Sequence, residues 1–123
     1  MGGYVYLICD PSNDTFKIGV TRDINSNRLK KLQTGNSTAL HIVSIYKCDY
    51  PFRLEKMLHS KLSNYRVLNE WFDLPVDIVV NFKSVCNEMN SVINVMLDNP
   101  FFVKNITCVV GNFFELARNI LKN

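Results

Sequence analysis

The chain opens on two short runs with a period of two. Residues 4–9 read Y-V-Y-L-I-C and residues 15–21 read T-F-K-I-G-V-T, with Pro11, Ser12, Asn13 and Asp14 between them. Two such runs around a cluster of turn-forming residues predict a β-hairpin with a loop of several residues. Alternation puts Tyr4, Tyr6 and Ile8 on one face of the first strand and Val5, Leu7 and Cys9 on the other. On the second strand Phe16, Ile18 and Val20 oppose Lys17, Gly19 and Thr21. A register that sets the Tyr4/Tyr6 face beside the Lys17 face brings two tyrosines and a lysine together on one side of the hairpin.

Further along, the period changes. Residues 28–33, R-L-K-K-L-Q, predict a short helix that turns Leu29 and Leu32 inward and is stopped by Gly35. Arg28 lies in its first turn, where a cation gains nothing from the helix dipole. Residues 40–47, L-H-I-V-S-I-Y-K, are apolar on both faces and predict a buried strand, with His41 structural in it. Pro51 suits the first turn of a second helix with Asp49 as its cap, and Leu54, Met57, Leu58 and Leu62 form its apolar stripe. Glu55 and His59, four residues apart, project together beside that stripe. Residues 65–74 hold a turn and an extended segment in which Trp71 reads as a core anchor. Residues 76–97 repeat apolar positions at three and four, which predicts one long amphipathic helix, bent around residues 87–91. Residues 101–123 are too apolar for a solvated tail and either cap the sheet or form a subunit interface.

These elements predict an α+β fold, a small antiparallel sheet of about three strands flanked by helices, with an added helical C-terminal segment. Residues 1–75 form the core; residues 76–123 pack on it or make a homodimer interface. With 123 residues, 47% hydrophobic and 20% charged, the composition is that of one folded domain and excludes a disordered chain. The net charge of +3 is small but uneven: ten basic residues stand against five acidic up to Arg66, and four against six after it. A positive N-terminal half suits a polyanionic partner. Cys9, Cys48, Cys86 and Cys108 form no C-x-x-C pair and read as reduced cysteines of an intracellular protein, with little in their spacing to support zinc. No stretch has the length and apolar character of a membrane span.

A tyrosine-bearing hairpin, an early-helix arginine and a helical glutamate, in that order, resemble the GIY-YIG nuclease superfamily. Its first motif falls on Tyr4, Val5 and Tyr6, its second on Lys17, Ile18 and Gly19, its arginine on Arg28 and its metal-binding glutamate on Glu55. The likeness is closer to a branch of phage and large-DNA-virus proteins, through K-I-G-x-T at residues 17–21, R-x-x-x-L-Q-T-G-N at 28–36, E-x-x-L-H at 55–59 and E-W-F at 70–72. Two positions depart from the main family: Tyr4 replaces the glycine of the first motif and Lys17 the tyrosine of the second. The lysine implies a changed division of labour or lost activity.

The resemblance implies hydrolysis of DNA phosphodiesters with Mg²⁺ or Mn²⁺. Tyr6 would activate the water; a tyrosine hydroxyl, with an ordinary pKa of about 10, serves as a base only where a neighbouring cation lowers it. Lys17 would supply that cation or orient the water. Arg28 would hold two non-bridging oxygens in its planar fork. Glu55 would be the single carboxylate ligand of the metal, the rest of the shell being water and phosphate. Tyr4 and His59 are accessory candidates, and a packed histidine is an equal reading of the second. Lys30, Lys31, Lys56 and Lys61 would draw in the backbone without sequence preference. If viral, such a protein would work in the host-cell cytoplasm or nucleus. The rival readings are a catalytically silent nucleic-acid-binding relative and an interaction protein using its apolar C-terminal segment.

Overall fold

A computed structural model describes residues 2–23, 30 and 39–99. Apart from Lys30, which is helical, the short helix predicted over residues 28–33, with Arg28 and Lys31, lies outside the described residues, as do Cys108 and the apolar segment after residue 100.

The hairpin forms as the alternation predicts, from β1 (Gly3–Asp10) and β2 (Thr15–Thr21). Its turn is tied by the Asp10 carboxylate, which accepts from the Ser12 N–H at 3.2 Å and from Asn13 Nδ2 at 2.7 Å. Asp14 takes the left-handed conformation (φ 52°), which aspartate tolerates better than most side chains. On the far side of β1 runs β3 (His41–Cys48), antiparallel, with a bulge where Leu7 faces Ser44 and Ile8 faces Ile42.

The sheet has five strands rather than about three. Two short ones, β4 (Arg66–Leu68) and β5 (Trp71–Phe72), extend it beyond β2 in the order β3-β1-β2-β5-β4. They escape periodicity because a two- or three-residue strand shows none. The same order corrects the place of β3, which is an edge strand and not a buried one. His41, Ile42 and Val43 are exposed there, so His41 is no core histidine.

Among the described residues after β3, three α-helices form: α1 (Pro51–Lys61), α2 (Val76–Val80) and α3 (Phe82–Leu97). Pro51 does occupy the first turn of α1, but Tyr50 is the cap residue and Asp49 makes no capping bond. The predicted single helix is interrupted at Asn81. There Asn81 Nδ2 donates to the Asp77 carbonyl at 2.9 Å, the local side-chain bond by which asparagine competes with a helix.

Val5 pairs with Val20, Leu7 with Ile18 and Phe16 with Phe72, so these residues share one face of the sheet. That face packs with Leu54, Met57, Leu58 and Leu62 from α1 and its end and with Phe82, Cys86, Met89 and Ile93 of α3 in one core. Cys9, Cys48 and Cys86 are free thiols. Burial pushes the Cys86 thiol up from about 9 to about 12. A thiol that keeps its proton longer in the native state stabilises fully below pH 9 and loses that contribution as pH rises from 9 towards 12. Thermal melts should therefore fall above pH 9, by up to about 1.4 kcal/mol per pH unit from this group. Cys86→Ala should flatten that slope; an unchanged slope would remove Cys86 from the account.

Candidate active site

The other face of the hairpin carries Tyr4, Tyr6 and Lys17, whereas Glu55 lies on α1, the helix packed against the Val5, Leu7 and Ile18 face. Tyr4 pairs with Thr21, Tyr6 with Gly19 and Ile8 with Lys17, so Tyr4, Tyr6, Lys17 and Gly19 share a face. Tyr6 and Lys17 are diagonal neighbours, a relation of roughly 7–8 Å on a sheet. Gly19 is required for that arrangement. A Cβ added to it would strike the Tyr6 hydroxyl and lie 2.5 Å from Cζ, because the phenol ring lies across the bare backbone. Tyr6 itself is 0% exposed.

Lys17 is 9% exposed. Its Nζ stands 2.8 Å from Glu70 Oε2 and 5.8 Å from the centre of the Trp71 ring. Trp71 is the strand partner of Lys17; it is half-buried beside the ammonium, while Phe72, at its side, is the fully buried anchor. In the sequence Glu70 stands only as a letter of E-W-F and Trp71 reads as a core anchor; the signal for their place is the acid and the indole standing together in a stretch that pairs with Lys17. Glu70→Gln leaves a largely buried ammonium without its counter-charge. Since Glu70 is partly exposed, the expected loss is about 1–2 kcal/mol, between the surface and buried limits. Chemical denaturation of the two proteins measures it, and equal midpoints would mean the pair contributes nothing.

The motif on α1 meets the motif on β2 from the other layer. Leu58 is core; His59 Nε2 donates to the Ile18 carbonyl at 3.0 Å. The His59 ring meets Phe72 edge-on, with centroids 5.1 Å apart. Its Nδ1 stands 3.5 Å from Arg66 Nη2, and that guanidinium also lies over Phe72. The short β5 explains the bond to Ile18: Ile18 N–H donates to Glu70 O at 3.3 Å, and the Ile18 carbonyl accepts a hydrogen bond from the histidine N–H. His59 thus joins α1 to β2 and β5. Glu55, four residues earlier, is half-buried on the same flank of α1.

Lys30 and Lys56 are exposed and Lys61 is half-buried. Among the described residues, no three His, Cys, Asp or Glu side chains cluster to hold a metal. A single hard carboxylate such as Glu55 suits Mg²⁺, which keeps several waters and takes phosphate oxygens. No helix of the described residues is long and apolar enough to cross a membrane.

Residues 3–88 match the T5orf172 domain. The chain belongs to this family. T5orf172 domains occur in GIY-YIG-like nucleases of phages and viruses. A relative from Invertebrate iridescent virus 6, "Uncharacterized protein 460R", is 36% identical over 86 residues, which is 63% of this chain and 37% of that protein. The chain thus aligns with little more than a third of its relative's length. No solved structure matches. The matched T5orf172 span contains K-I-G, E-x-x-L-H and E-W-F, the three motifs whose residues meet around Ile18, His59 and Phe72.

Proposed function

We propose that this T5orf172 chain is a divalent-metal-dependent endonuclease of the GIY-YIG kind that hydrolyses DNA phosphodiester bonds. The observation that carries the reading is the hairpin register: Tyr6 opposite Gly19 and Lys17 opposite Ile8, on one face. In this reading the Tyr6 oxygen, as phenolate, takes a proton from a water while that water's oxygen bonds to phosphorus; the P–O bond to the leaving deoxyribose oxygen breaks, and that oxygen takes a proton from solvent to end as a hydroxyl. The Lys17 ammonium, fixed by Glu70 and Trp71, is an oriented donor rather than a roaming charge. Arg28 holds the non-bridging oxygens, and Glu55 is the protein ligand for Mg²⁺ or Mn²⁺. That ion supplies Lewis-acid stabilisation of the phosphoryl charge when bound. Lys30, Lys31, Lys56 and Lys61 attract the backbone, and residues 76–123 form the helical extension, on the core or between two copies.

A second reading, the silent DNA-binding relative, is favoured by the complete burial of Tyr6 and by the commitment of Lys17 to Glu70. Incubation with single-stranded, duplex and branched DNA in Mg²⁺ or Mn²⁺, beside an EDTA control, separates the two. Products that appear only with metal support the nuclease; binding that survives EDTA with no product in either metal supports the silent binder.

A further inference from the structure

Beyond the end of β2, a pocket of about 180 Å³ is lined by Arg22, Asp49, Tyr50, Pro51, Phe52 and Arg53. Thr21 Oγ1 donates to the Asp23 carbonyl at 2.8 Å and accepts from its N–H at 3.3 Å, closing a tight turn at which Arg22 is exposed. The Arg22 guanidinium lies 5.1 Å from the Phe52 ring centre, and that of Arg53 lies 5.3 Å from Tyr50. Both rings stay open to solvent, Phe52 at 49% and Tyr50 at 40%. Among the described residues neither arginine makes an ion pair. Asp49 offsets one of the two charges, so attraction here is local rather than long-ranged.

Two exposed rings, each beside a guanidinium and both in one pocket, form a stacking surface with phosphate donors at its rim. The cavity is smaller than the roughly 300–1,000 Å³ of a small-molecule site and suits one flat group. Its place bears on the substrate. Arg22 comes three residues after Gly19, the partner of Tyr6, roughly 10 Å along extended chain. A Cβ on Gly3 would come within 2.8 Å of Pro51 Cγ and 3.3 Å of Arg22 Cα, so the pocket sits directly against the start of β1.

We propose that this pocket takes one unpaired nucleotide of a DNA strand, its base on Phe52 or Tyr50 and its phosphate on Arg22 and Arg53. The substrate class is then DNA with unpaired nucleotides beside the cut, since a base inside a duplex reaches such a ring only by leaving the stack. The inference rests on the nuclease reading for its partner.

Fluorescence anisotropy in EDTA, at one fixed salt, tests it with labelled single-stranded oligothymidylate and a duplex of equal length. Joint Tyr50→Ala and Phe52→Ala substitution should weaken single-strand binding by about 10- to 100-fold and duplex binding by no more than about twofold, with Phe52→Trp retaining affinity. Arg22→Gln should lower the slope of log affinity against log salt by about 1. Unchanged single-strand binding by the double variant, or equal losses on both probes in a protein with an unaltered melt, overturns the pocket and leaves the nuclease reading standing. Wild-type protein that binds neither probe in EDTA and cuts neither when Mg²⁺ or Mn²⁺ is supplied takes down both.

Discussion

Glu55→Gln is expected to lower metal-dependent cleavage by about three orders of magnitude while leaving DNA binding in EDTA within about twofold of wild type. The amide has the size of the carboxylate and a similar helix propensity, but no charge for a hard cation. In the proposed nuclease reading, loss of the carboxylate ligand takes several kcal/mol of charge stabilisation from the transition state and little from the ground-state complex with DNA. Glu55 is half-buried on the flank of α1, outside the stripe of Leu54, Met57 and Leu58 that holds the helix to the core. The fold should therefore persist. Cleavage kinetics in Mg²⁺, binding in EDTA and a thermal melt are read together. Wild-type cleavage by the variant would remove Glu55 from the metal site, and a joint fall in binding and melting temperature would make it a structural residue instead.

Phe72→Ala should cost about 3–5 kcal/mol, the range for emptying a buried aromatic site. Phe72 is fully buried, pairs with Phe16 across the strands and receives the edge of His59. Because α1 reaches β2 partly through His59 and Ile18, the cavity opens at the join between helix and sheet. It also loosens the strand that carries Glu70 and Trp71 to Lys17. Against a total of about 5–15 kcal/mol for a domain, such a loss shifts the melt by roughly 10–20 °C. Urea denaturation gives the number directly; a loss under about 1 kcal/mol would mean that β5 is an ornament on the sheet rather than part of its core. Phe72→Leu, which keeps most of the volume, should lose far less.

The E-W-F triplet shows how much of the site the chain announces. Its three residues take three different jobs: Glu70 neutralises Lys17, Trp71 lies beside the same ammonium, and Phe72 anchors the core. A lone tryptophan followed by phenylalanine reads as a tryptophan anchor, yet the phenylalanine is the buried one. Strand pairing alternates faces, and the register Lys17 to Trp71 sends the indole to the lysine and the next side chain to the helices. His59 meets the carbonyl of Ile18, a residue distant in sequence, so spacing on α1 alone does not show that contact.

What the sequence determined by itself is local. The period-2 runs set the two strands of the hairpin and which residues alternate on each, while the register that puts Tyr6 and Lys17 on one face came from the structure; the spacing of Leu54, Met57 and Leu58 set the buried side of α1. Each follows from a repeat within one element. Only the tertiary structure decided that β3 is an edge, that two very short strands complete the sheet, that the last helix breaks at Asn81, and that Lys17 is held by Glu70. Those outcomes depend on which segments become neighbours once the core closes. The burial of a strand, or the charge around a lysine, is a property of those neighbours and not of the residues on either side in the chain.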